Sequence, residues 1–283
     1  MINRDQPVWF ITGCSSGFGR ELAKEVLSRG WRCVVTARDL KTVEDITHGH
    51  DASAIVCTLD VTKRDQIDAA VQCAIQAFGR IDVLVNNAGY GYFSAIEEGD
   101  DQDVRAMFEA NVFGLIDMTK AVLPTLRAQG NGMIVMVSSI GGLTSQAATG
   151  YYHGTKYAVE GISESLAIEV KPLGIDVLIV EPGPFRTKWA GESIRRSKIE
   201  IDAYATTAGE RKRASAARSG KQPGDPVRAA KAIIDVVTSE KPPLRLLLGK
   251  LALDNARKKI ELLKNDFDAM EATTLGADFP TGE

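Results

Sequence analysis

Short apolar runs alternate along the chain with longer stretches in which apolar residues recur every three or four positions. Residues 8–12, 33–36, 54–57, 83–85, 133–137 and 177–180 read as buried strands, with a last one at 244–248. Residues 20–28, 65–78, 103–126 and 152–170 read as the helices between most of them. Strands apolar on both faces, separated by helices, predict a parallel sheet covered on both sides. Right-handed crossovers then give a doubly wound, mostly parallel α/β sheet of the Rossmann type, with its ligand site at the carboxyl ends of the strands. No repeat or low-complexity linker interrupts the alternation, so the pattern predicts one domain over 1–283.

Two regions depart from it. Residues 184–222 carry no strong strand signal and hold ten Lys/Arg against four Asp/Glu, a stretch long enough to predict a functional or mobile segment over the substrate. Residues 250–272 form a tail with Leu253, Ala256, Ile260, Leu263, Phe267 and Met270 at spacings of three and four. Those spacings predict an amphipathic helix that packs either on its own domain or on a partner subunit.

Composition narrows the class. The chain has 283 residues, 44% hydrophobic and 25% charged, with net charge -3, which suits an ordinary globular protein and argues against nucleic-acid or membrane partners. The polar start and the lack of any long apolar run predict neither a signal peptide nor a transmembrane helix. Cys14, Cys33, Cys57 and Cys73 form no CxxC pair and read as reduced thiols of a cytoplasmic protein. His48 and His50 lie in a polar loop, and no metal site is expected.

Candidate chemistry gathers at three places. Thr12-Gly-Cys-Ser-Ser-Gly-Phe-Gly19 joins the first strand to the first helix, where glycines allow a pyrophosphate to approach the helix amino terminus. Tyr152 and Lys156 stand four apart, so on a helix they share a face, and an ammonium beside a phenol favours its ionised form. Ser138-Ser139 closes an apolar run upstream.

Thr12-Gly13-x-x-x-Gly17-x-Gly19, Asn86-Asn-Ala-Gly89, Tyr152-x-x-x-Lys156 and Pro182-Gly183-x-x-x-Thr187 occur in the order seen in short-chain dehydrogenases/reductases. Over residues 8–249 the chain resembles the small, single-domain branch of that family. The resemblance implies a catalytic set of Asn111, Ser139, Tyr152 and Lys156, with Ser139 thirteen residues before Tyr152. Tyr152 would act as proton donor and Ser139 as the hydrogen-bond donor to the substrate oxygen. Lys156 would lower the tyrosine pKa and hold the ribose, and Asn111 would position a water for proton passage. It implies further that Gly13, Ser15, Ser16, Gly17, Phe18 and Gly19 line the pyrophosphate and adenosine ribose. Asp60 and Val61 would flank the adenine. Asn87, Ala88 and Gly89 would approach the riboses, and Pro182, Gly183, Phe185 and Thr187 would close over the nicotinamide.

Where NAD-preferring members carry an acid at the tip of the second strand, this chain has Ala37 followed by Arg38, whose guanidinium suits a 2′-phosphate. The expectation is NADP(H), with NAD(H) possible because Asp39 follows. The reaction implied is hydride transfer between nicotinamide and a ketone, aldehyde or secondary alcohol. Tyr90, Tyr92, Phe93, residues 141–149, Trp189 and Tyr204 are expected around the substrate. A cofactor-binding sensor and a non-redox, lyase-like member are the rival readings. The family's habit of pairing through the helices of Asn111 and Tyr152 implies a homodimer or homotetramer.

Overall fold

A computed structural model of the chain describes residues 5–190 and 194–279. The first half of the sheet is built from β1 (Val8–Ile11), α1 (Gly17–Ser28), β2 (Arg32–Ala37), the single turn α2 (Glu44–Thr47), β3 (Ala54–Thr58), α3 (Arg64–Phe78) and β4 (Val83–Asn86). A two-residue strand, β5 (Tyr92–Phe93), leads to α4 (Asp101–Phe108) and α5 (Gly114–Gln129). Next come β6 (Gly132–Val137), the long α6 (Gly150–Val170) and β7 (Ile175–Pro182). The chain ends with β8 (Arg195–Arg196), α7 (Glu210–Ala217), α8 (Pro226–Val237), β9 (Arg245–Leu248), α9 (Lys250–Ala269) and the short α10 (Glu271–Leu275).

Seven strands make one parallel sheet in the order β3-β2-β1-β4-β6-β7-β9. The order reverses between β1 and β4, the point at which doubly wound sheets place their ligand crevice, at the carboxyl ends of the strands. The strand interiors are apolar because both faces are covered. On one face lie Leu22, Val26 and Leu27 of α1 with Ala230, Ile233 and Ile234 of α8. On the other lie Ile67 and Val71 of α3, Met118 and Val122 of α5, and Val159 and Leu166 of α6. The doubly wound parallel α/β reading therefore holds.

Three local features go beyond the periodicity. The helix expected over 103–126 is broken by a π turn, Glu109–Phe113, between α4 and α5. One extra residue per turn there swings Asn111 out of the helical row and into the protein, where it is 1% exposed. The 184–222 segment carries β8, paired in parallel with β5, and helix α7. The tail helix α9 packs on its own domain only at its start, through Ala252 and Ala256, while Ile260, Phe267 and Met270 remain exposed. All four cysteines are free thiols. No helix among the described residues is long and apolar enough to cross a membrane.

Candidate active site

The glycine turn is held to the sheet from below. Thr12 Oγ1 donates to the Val85 carbonyl at 3.1 Å and accepts from the N–H groups of Asn87 and Ala88, both at 2.9 Å. The Asn87 amide donates back to the carbonyls of Thr12 and Gly13 at 2.8 and 3.1 Å. Asn87 and Ala88 thus stitch the end of β4 to the turn after β1. This leaves no space for larger residues: a Cβ on Gly19 would lie 2.5 Å from Asn87 Nδ2 and 2.6 Å from the Gly13 carbonyl. Gly13 and Gly17 adopt φ of +72° and +61°, which side-chain-bearing residues disfavour. α1 starts with no acidic residue in its first turn, and Ser16 at its cap makes no side-chain hydrogen bond. Its amino terminus is therefore free to meet an anion.

Residues from the far side of the sheet close on this turn. Phe185 packs edge-on to Phe18 with ring centroids 5.1 Å apart, and a Cβ on Gly17 would lie 3.5 Å from Thr187. Pro182 ends β7 and Gly183 donates to the Leu248 carbonyl at 2.9 Å. At the tip of β2, Ala37 is buried and Arg38 is exposed, while the Asp39 carboxylate accepts from the Lys41 N–H at 3.1 Å. Asp60 is likewise committed locally, accepting from Thr62 N–H and Oγ1 at 3.0 and 2.8 Å. Val61 packs against Gly114 so closely that a Cβ there would lie 2.7 Å from it. Ser15 is exposed beside the turn.

Tyr152 and Lys156 lie on the buried side of α6, 8% and 7% exposed. Burial pushes the Tyr152 phenol up to about 12, against a smaller downward pull from the Ser139 hydroxyl. The sequence led to the opposite expectation, that Lys156 would lower it. The reason for the difference is geometric: Lys156 Nζ donates to the Val137 carbonyl at 2.7 Å and stands 5.8 Å from the centre of the Tyr152 ring. Lys156 itself is pushed down to about 8 by burial, with Glu160 one turn on acting the other way. Tyr151 points elsewhere, its hydroxyl donating to the Ile96 carbonyl at 2.7 Å.

Asn111 braces the site. Its Oδ1 accepts from the Tyr90 N–H at 2.9 Å, and its Nδ2 donates to the Tyr90 carbonyl at 2.8 Å and to Thr155 Oγ1 at 3.2 Å. It therefore fixes the strand-end loop of Gly89-Tyr90 against α6. The Trp189 ring lies 5.0 Å from that of Tyr152, and Tyr92, Phe93 and Ile194 complete an apolar wall. His153, which the sequence did not single out, braces the loop over this wall. Its Nδ1 lies 2.9 Å from the Gly141 carbonyl, and its Nε2 accepts from the Gln146 N–H at 3.0 Å. That pairing makes Nδ1–H the donor, and burial pushes the ring's pKa down, so it is neutral.

Also unforeseen is a charged cluster behind Lys156. Arg245 on β9 donates to Glu160 and Glu164 of α6 and to Glu181 of β7. Two signals in the sequence pointed to it: Lys156, Glu160 and Glu164 repeat every four residues, and Glu181 interrupts an apolar strand. Among the described residues no group of three His, Cys, Asp or Glu could hold a metal ion.

Comparison with known proteins agrees with this geometry. Residues 7–198 match the model of the short chain dehydrogenase family. A fungal oxidoreductase of Botryotinia fuckeliana is 38% identical over 257 residues, covering 90% of this chain and 93% of its own. The crystal structure of a short-chain dehydrogenase from Streptomyces avermitilis superposes with a TM-score of 0.91 at 40% identity, covering 97% of this chain and 100% of that one. A Burkholderia phymatum short-chain dehydrogenase/reductase in complex with NAD superposes with a TM-score of 0.80 at 26% identity, covering 93% of this chain and 97% of its own. The glycine turn, the buried tyrosine–lysine pair and these matches make the chain a member of the short-chain dehydrogenase/reductase family.

Proposed function

We propose that the protein is an NADP(H)-dependent oxidoreductase that moves a hydride between nicotinamide and a ketone, aldehyde or secondary alcohol. The observation that carries the reading is the Tyr152–Lys156 pair, buried beside Ser139 and facing an apolar wall next to the glycine turn. The open amino terminus of α1, set by the close packing of Gly13 and Gly19 against Asn87 and Ala88, fits a dinucleotide pyrophosphate. Gly13, Ser15, Ser16, Gly17, Phe18 and Gly19 would hold it, with Asp60 and Val61 beside the adenine and Asn87, Ala88 and Gly89 along the riboses. Pro182, Gly183, Phe185 and Thr187 would cover the nicotinamide.

Nicotinamide, when bound, supplies the hydride in reduction and accepts it in oxidation. Tyr152 does the proton work. A phenol held near 12 is protonated at neutral pH, so it is ready to donate to the carbonyl oxygen as negative charge builds there. Ser139 donates a hydrogen bond to the same oxygen. Lys156 supplies positive charge beneath the phenol and, with its pKa near 8, is able to exchange a proton near neutrality. Asn111 holds Gly89-Tyr90 in place against Thr155, next to Lys156 on the helix.

For the cofactor, exposed Arg38 beside small Ala37 favours a 2′-phosphate. Asp39, which could have bound a ribose as in NAD-preferring members, is engaged as the cap of the following turn. Pairing of subunits through the helices of Asn111 and Tyr152 is supported by Phe113, Tyr157 and Ile168, exposed on those helices at 51%, 41% and 77%. Following NADPH absorbance across a panel of aromatic and aliphatic carbonyls tests the reading, with NADH in parallel. The expected result is oxidation of NADPH with higher kcat/KM than NADH. Binding without oxidation across the panel would favour a sensor, and a clear NADH advantage would reverse the cofactor assignment.

A further inference from the structure

Lys156 is a cation with almost no access to water and no ion pair among the described residues; its ammonium donates to a backbone carbonyl. Burying a charge without a counter-charge is costly. One turn further along the same face stands Glu160, 5% exposed. Arg245 Nη1 donates to both Glu160 Oε2 and Glu181 Oε1, so the two carboxylates share one nitrogen and lie against each other. Arg245 Nη2 takes the more exposed Glu164. Each buried carboxylate keeps one oxygen, Glu160 Oε1 and Glu181 Oε2, that receives no hydrogen bond. Across Gly142 from Glu160 Oε1 lies the buried Ser138 hydroxyl, which also finds no partner. A Cβ on Gly142 would lie 2.7 Å from the hydroxyl and 2.9 Å from the carboxylate oxygen.

The charge balance is informative. Two carboxylates in contact disfavour each other's charge, and here Glu181 bears that cost. Burial and the Glu160 charge push Glu181 up to about 7, with Arg245 acting the other way. With Glu181 protonated, Glu160 and Glu164 carry one negative charge each and Arg245 one positive. The cluster then has a single net negative charge, which matches the single positive charge of Lys156. Among the described residues Glu160 is the charge that acts on Lys156. Around Lys156, α6 also presents Tyr152 and neutral His153, the π turn presents Asn111, and β6 and its loop present only the Val137 carbonyl, Ser138 and Ser139. Lys250 and Asp254 at the start of α9 pair with each other in solvent.

We infer that Glu160, held by Arg245 together with Glu181, is a positioning residue whose charge keeps the Lys156 ammonium in place for the reaction. The inference rests on the reading of Lys156 as part of the reaction site. It also gives β7 a second task, because Glu181 directly precedes Pro182-Gly183. The cluster thereby ties the helix of Lys156 to the loop over the nicotinamide position.

The test needs neither substrate nor cofactor. The full-length protein carrying 13Cε-labelled lysine is titrated by NMR, and the Lys156 signal is assigned through Lys156→Met. In the native protein the signal should show its own titration and a second inflection near pH 7 from Glu181. Glu160→Gln keeps the shape and an acceptor for Arg245 but removes the charge. It should move the Lys156 titration to lower pH by about half a unit or more and carry the second inflection to lower pH, because the Glu160 charge that raises Glu181 is gone. Glu181→Gln, which copies the protonated form, should move it less, and Glu164→Gln should not move it. A single inflection in the native protein would overturn the inference, whether or not Glu160→Gln folds. Equal shifts in Glu160→Gln and Glu164→Gln would overturn it too. Failure of the hydride-transfer reading would show instead in the carbonyl panel, with this titration unchanged.

Discussion

Lys156 and Lys212 are both largely withdrawn from water, yet the protein surrounds them in opposite ways. Lys212, on helix α7 of the 184–222 segment, donates to Glu98 at 2.7 Å, and the two side chains are 11% and 3% exposed. Glu98 also accepts from the N–H groups of Ala95 and Ile201, both at 3.0 Å. Burial pushes the Glu98 carboxyl up, but Lys212 and those two N–H groups outweigh it and hold it near 2. Every group there is satisfied, and the result is a latch between the segment and the loop after β5. Lys156 has a carbonyl for its contact and a carboxylate cluster one turn away. Burial prevails, and its proton is held loosely. A satisfied ion pair fixes structure, whereas a buried cation without one is available for proton exchange near neutral pH.

The same substitution at both positions separates the two roles. Lys156→Met should lower kcat by about 100-fold or more while changing stability by no more than about 1 kcal/mol. Lys212→Met should do the reverse, costing about 3 kcal/mol or more in urea unfolding, because Glu98 is left buried and unpaired. Matching losses of stability in the two variants would erase the distinction.

Acid sharpens it further. The Glu98 carboxyl is held below its ordinary 4.5, so the stability it adds is complete above that pH and drains away as pH falls toward 2. Unfolding measured down this range should steepen in the native protein and flatten in Lys212→Met. Arg38 extends the comparison to a cation that keeps its water. Arg38→Ala should leave stability within about 0.5 kcal/mol. It should raise KM for NADPH about 10-fold, with little change for NADH.

The difference between the lysines also marks what could be read from the sequence. The sheet, the glycine turn and the Tyr152/Lys156 pair are local patterns, set by periodicity or by spacing along one helix. The latch joins residues 114 positions apart, and Arg245 reaches back 85 positions to Glu160 and 64 to Glu181. Local patterns mark one side of the Arg245 cluster, in the four-residue repeat of Lys156, Glu160 and Glu164, but none names the distant partner. The π turn that buries Asn111 keeps the apolar periodicity of an ordinary helix, so the sequence carries no sign of it. The Tyr152 phenol was expected to be lowered by Lys156, but depth of burial decides its direction, and burial of one side chain is a property of the assembled fold.

Turnover of NADPH by Tyr152→Phe tests the central claim most directly. The ring remains to pack against Trp189 and only the hydroxyl is lost. The account predicts a fall in kcat of about 100- to 10,000-fold with NADPH binding retained. Undiminished turnover in that variant would contradict it.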